Sequence, residues 1–179
     1  MTRRSGWVLP MAVALIAAAC SVSDTLPPPN CESSPTSALI SGQSVPTASF
    51  LICLDTLPTG WEVDEVRIGD EGTVVVFDSD RAGASAARLR FEESCDIGEA
   101  TPTPTEFEGT SRYEWILGLS PGFRANRYYR FVGGCVTWEF DFDDEAPAAM
   151  SVELGNALQL VDRRTINDQL RETFVDEDL

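Results

Sequence analysis

The chain has 179 residues, 43% hydrophobic and 23% charged, a composition that suits one globular domain and leaves little room for two. Acids number 29 against 13 basic residues, every basic residue is Arg, and there is no His, which leaves a formal net charge of -16. These counts exclude a Ser-His-Asp triad, a His-ligated metal, a lysine Schiff base and a Walker A loop. The negative sign also argues against non-specific nucleic-acid binding, because phosphates are repelled.

Thr2-Arg3-Arg4 is a short positive segment, and Trp7 to Ala19 is then apolar apart from Pro10. About 13 residues cannot span a bilayer as a helix, which takes roughly 20. The pattern fits a signal peptide over residues 1–19. It ends Ala17-Ala18-Ala19-Cys20-Ser21, which resembles the lipobox of bacterial lipoproteins, with Ala17 where that family prefers Leu. The resemblance implies cleavage before Cys20 and a lipid on its thiol. Cysteine parity points the same way: five Cys leave one unpaired, and acylation of Cys20 leaves Cys31, Cys53, Cys95 and Cys135 for two disulfides. The Arg pair leaves open whether export is by the general or the twin-arginine route. Cleavage removes Arg3 and Arg4 and no acid, so the mature chain carries 11 Arg against 29 acids, a net of -18. An anionic domain is repelled by anionic headgroups, so the lipid alone would hold it to the membrane.

Residues 20–36, rich in Ser and Pro, read as a tether whose far end carries Cys31. Residues 37–179 read as a single extracytoplasmic domain. Ser34 and Pro35 are placed to open one or two helical turns. The apolar run ASFLICL (48–54) is a short strand or a buried helical turn, and periodicity does not decide. Strands follow over 61–68, 73–77 and 86–92, with a tight turn at Gly69-Asp70-Glu71-Gly72. The Pro-rich stretch 96–110 reads as a loop, 112–119 as a strand, and 124–132 with 135–143 as a hairpin turning at Gly133-Gly134. In the tail, Met150, Leu154, Ala157, Leu158 and Val161 share a helical stripe, and Thr165 with Asp168 resembles a capping box opening a second helix. The expected class is α+β: an antiparallel sheet of about six strands, then two C-terminal helices.

Four Cys permit three pairings. The reading favours Cys31–Cys53, tying the tether to the first buried run, and Cys95–Cys135, tying a strand end to the hairpin mouth. The motif order QSVPTASFLICL (43–54), LPTGW (57–61), DSDRAG (78–83), SCD (94–96), RYE (112–114) and GGCVTWEFDF (133–142) resembles a group of uncharacterised cell-envelope proteins of high-GC Gram-positive bacteria. The resemblance spans about residues 37 to 175 and implies a membrane-attached location outside the cell, with no catalytic residue carried over.

Two constellations could carry chemistry. Asp78 and Asp80 start like an EF-hand loop, but Ala82 and Leu89 fall where ligands belong, so a self-capped turn is expected. Glu139, Asp141 and Asp143 alternate with Trp138, Phe140 and Phe142, putting acids on one strand face and aromatics on the other. A wet sheet face balanced by Arg is expected there, with no metal and no cofactor. A two-residue loop at 133–134 pairs Tyr129 with Trp138 and Arg127 with Phe140 on the buried face. It leaves Arg124 and Arg130 to offset the acids on the other. The expected function is a non-catalytic, lipid-anchored interaction module on the outer side of the cell membrane, binding an envelope protein or wall component and no nucleic acid. The alternative is an extracytoplasmic binder of a small molecule or cation.

Overall fold

The computed structural model describes residues 26–143 and 146–176. Pro35–Gln43 form a helix (α1), followed by strands Phe50–Leu54 (β1), Trp61–Gly69 (β2), Gly72–Ser79 (β3), Gly83–Glu92 (β4), Thr101–Thr103 (β5), Ser111–Gly118 (β6), Arg124–Phe131 (β7) and Gly134–Asp141 (β8). The chain continues with Ala149–Gly155 (α2), Leu158–Asp162 (β9) and Arg163–Asp176 (α3). The α+β class holds, but the described residues form nine strands in two sheets, more than the expected six or so.

The large sheet has the order β2-β3-β4-β8-β7-β6-β5, and every neighbouring pair is antiparallel. It is two meanders, β2 to β4 and β5 to β8, joined where β4 meets β8. The link between β4 and β5 must therefore cross from the third strand position to the far edge. Period-two alternation sends Phe77, Leu89, Phe91, Trp138, Phe140 and Tyr129 to one face, where all are buried. Trp138 lies 5.3 Å from the Phe77 ring and stacks on Phe140 at 5.7 Å. These rings share one core with Ile52 and Leu54 of β1, Met150 and Leu154 of α2, and Leu158 of β9. The small β1–β9 sheet and the short helices thus seal this inner face.

Three expectations about elements change. The run at 48–54 is a strand because β9 pairs with it from Phe50↔Asp162 to Leu54↔Leu158. That pairing also claims residues 158–162, which the helical stripe had assigned to a helix. The spacing of four and then three among Leu154, Leu158 and Val161 is coincidental, since α2 stops at Gly155. The second helix begins at Arg163, where the Asp162 carboxylate accepts the Arg164 N–H at 2.8 Å, so Asp162 and not Thr165 caps it. Within the 96–110 loop, Thr101–Thr103 add a three-residue edge strand, where Pro102 is tolerated because its nitrogen need not serve the ladder.

The β7–β8 turn lies one residue earlier than expected. Phe131 pairs with Gly134, so the loop residues are Val132 and Gly133. Tyr129 then faces Val136 and Arg127 faces Trp138, each partner displaced by two. A shift of two preserves the faces, so Trp138 and Phe140 are buried as the alternation requires. The turn is fixed from outside: Ser49 N–H donates to the Val132 carbonyl at 2.9 Å and the Thr47 hydroxyl to the Gly133 carbonyl at 2.7 Å. Gly133 has φ +70°, and a Cβ there would collide with the Thr47 carbonyl.

Candidate functional site

The outer face of the large sheet has no β1–β9 layer over it. Arg88 and Arg90 of β4 reach it, beside Thr137 and Glu139 of β8 and Asn126 and Tyr128 of β7, as the cross-strand pairs Arg88↔Glu139, Arg90↔Thr137 and Asn126↔Glu139 dictate. Arg88 meets the Glu139 carboxylate at 3.3 Å and Arg90 meets it at 4.0 Å. Arg90 also pairs with Glu92 at 2.7 Å, and that hydrogen bond raises its already high pKa.

Three open grooves meet on this floor. One of about 550 Å³ runs between Ser85, Arg88, Leu117, Arg124, Asn126 and Asp141. A second of about 220 Å³ lies between Arg90, Ser94, Asp96, Asn126, Tyr128 and Glu139. A third of about 1030 Å³ spreads from Arg88 and Arg90 past Val74 and Arg67 to Leu26. The β4–β5 crossover walls the second groove. It is held down by the Cys95–Cys135 disulfide, with Cα atoms 5.8 Å apart, and passes close enough that a Cβ on Gly98 would touch the Trp115 ring at 3.3 Å.

The other expected bridge, Cys31–Cys53, is also present, with Cα atoms 5.4 Å apart. Pro29 and Asn30 dock against β1: Leu54 N–H donates to the Pro29 carbonyl at 2.7 Å, and Asn30 Nδ2 donates to the Leu54 carbonyl at 3.0 Å. Cys20 and the leader lie outside the described residues. No described helix is long and apolar enough to cross a membrane.

The acid row is balanced differently from expectation. Arg88 and Arg90 hold Glu139, whereas no ion pair links Arg124 or Arg130 to the row among the described residues. Arg130 lies opposite Cys135, because the hairpin register is displaced, and β8 has β4 as a second neighbour that the hairpin reading left out. Asp78 accepts the Ser85 N–H at 2.7 Å, as in a self-capped turn, and Asp80 lies 3.8 Å from Arg81. Among the described residues, no three Cys, Asp or Glu side chains gather as a metal site would require.

Three arginines carry structure, and of these the sequence singled out only Arg127, as lying across aromatic rings on the buried face. Arg127 is 5% exposed and lies over the Phe140 ring at 5.5 Å. Its Nε donates to Glu114 at 2.8 Å and its Nη1 to the Ser151 carbonyl at 3.3 Å. Arg112 bridges Glu114 to Glu106, and the Tyr129 hydroxyl donates to Glu106 at 2.7 Å. Burial alone would raise the Glu114 pKa, but hydrogen bonds and charge from Arg127 and Arg112 outweigh it and hold the carboxyl below its ordinary value. Burial, reinforced by Glu106, pushes the Tyr129 hydroxyl up. Arg163 donates to the carbonyls of Gly42, Val45 and Ala48 at 2.7–3.0 Å, tying the end of α1 and the turn after it to the start of α3. Burial lowers its pKa. Alternation did place Arg127 on the aromatic face; nothing in the local pattern around Arg163 names its distant partners.

No family model, curated protein or solved structure matches the chain.

Proposed function

We propose that this is a non-catalytic, lipid-anchored module of the cell envelope that binds a protein or wall component through the outer face of its large sheet. The observation that carries the reading is the asymmetry of that sheet. One face is sealed by β1, β9 and the helices, while Arg88, Arg90, Asn126 and Glu139 open into three connected grooves on the other. The grooves are shallow and polar and carry both signs of charge, which favours a hydrogen-bonding macromolecular surface over a small apolar ligand. With no His or Lys in the sequence, a Ser or Cys nucleophile lacks its usual activating partner, and only carboxylates remain as bases. Anchoring rests on the lipobox-like run ending at Cys20, with a docked segment from Pro28 leading into the domain.

A photo-activatable side chain at Asn126, irradiated in intact cells, should give a discrete adduct, and the same group at the exposed Val152 of α2 should not. An adduct from Val152 with none from Asn126 would place the working surface elsewhere.

A further inference from the structure

We propose that the outer half of β6 is a self-association edge, at which a second copy of this chain adds its own β6 antiparallel. The short β5 covers only Arg112, Tyr113 and Glu114 of β6. From Trp115 onward β6 pairs with β7 alone, and its other edge has no backbone partner among the described residues. On that open stretch Ile116 is 57% exposed, Leu117 47% and, just beyond, Leu119 70%. An apolar strand edge with free N–H and C=O groups is a template for another strand.

The other edge of the sheet is built to refuse one. Strand β2 carries Glu62, Asp64, Glu65 and Arg67; both strands are bulged, between Val63 and Glu65 in β2 and between Ile116 and Gly118 in β6, so charge is what separates the two edges. Charges are a usual means of blunting an edge. Residues 115–123, WILGLSPGF, hold no charge at all. The occupant follows from that neutrality. The whole chain is strongly anionic, so two copies brought together almost anywhere else set acid against acid. Antiparallel pairing about Leu117 sets Leu117 against its counterpart and Trp115 against Leu119, with Glu114 beyond the overlap and flanked by β5. An isologous two-fold contact needs such a self-complementary segment. Five residues a side make a small interface, so the association is weak in dilute solution and belongs where copies are concentrated. The probe position Ile116 shares its face with the core residue Ala125, whereas Leu117 also lines the groove beside Arg88 and Arg124, so the contact borders the proposed binding face.

The test is a photo-activatable side chain at Ile116 in the full chain, irradiated in intact cells. The expected product has twice the chain's mass and yields only this chain's peptides. Adding Leu119→Lys should cut it at least tenfold, although Lys lowers the net negative charge and so relieves general repulsion. The same probe at Glu65 should give no such product. A chain that stays monomeric, joins only to a different protein, or dimerises equally well with Leu119→Lys overturns the proposal. Leu119 is exposed, so the variant folds; an unchanged melting temperature in the purified variant verifies it.

Discussion

Glu114 sits between two guanidinium groups on the inner side of the sheet, and its lowered pKa has a definite consequence for stability. A carboxyl whose folded value lies below its unfolded value of 4.5 contributes stability that is present above that value and lost as pH falls through the folded one. Glu114→Gln should therefore be less stable than the parent at pH 7, by about 1–2 kcal/mol. The gap should narrow as pH falls below 4.5, which urea melts at pH 7, 4.5 and 3 would read. Arg127→Met should cost more, about 2–4 kcal/mol, because it strands the Ser151 carbonyl and half the partners of Glu114. Arg163→Met removes donors from three carbonyls and should cost about 2–3 kcal/mol, seen as a lower urea midpoint at unchanged slope. A pattern of alternation foretells which face Arg127 occupies. It cannot foretell that Arg163 reaches carbonyls more than a hundred residues away, because nothing local encodes that meeting.

Strands with one wet face were legible because alternation is a local signal, and so β4, β7 and β8 stand close to where the sequence puts them. The missing strands lacked that signal. Strand β5 has three residues and a proline, and β9 exists only because β1 lies beside it. The hairpin shows the same division. Faces follow from the residues of β8 alone, whereas the turn position is decided by Thr47 and Ser49, which bond to Gly133 and Val132 from a different part of the chain. Gly133→Ala should accordingly lose about 2 kcal/mol or more, combining the left-handed backbone penalty with a collision at the Thr47 carbonyl. A differential melting scan suffices, and a change within experimental error would show that the turn is not pinned there. The disulfides act on the same elements from outside. Removing the Cys95–Cys135 bridge with paired Ala substitutions frees a 40-residue loop and should cost about 3–4 kcal/mol in the chain-entropy model. It should also release the crossover that walls the groove beside Arg90.

Cys20→Ser should leave the chain unlipidated and shift it out of the membrane fraction, which membrane fractionation with mass spectrometry of the mature N-terminus would record. Parity left four cysteines, their places along the chain favoured Cys31–Cys53 and Cys95–Cys135, and period gave the buried aromatic face; the structure carries both bridges and that face. The outer-face grooves were not foreseen, because they depend on which strands lie side by side and, for the one beside Arg90, on the crossover that walls it. That face is the centre of the functional reading. Its most direct test is capture from solubilised envelope by the parent and by the paired variant Arg88→Glu, Arg90→Glu, with both proteins first shown to melt alike. The prediction is a component retained by the parent and lost with the pair. Retention of the same components by both would contradict it.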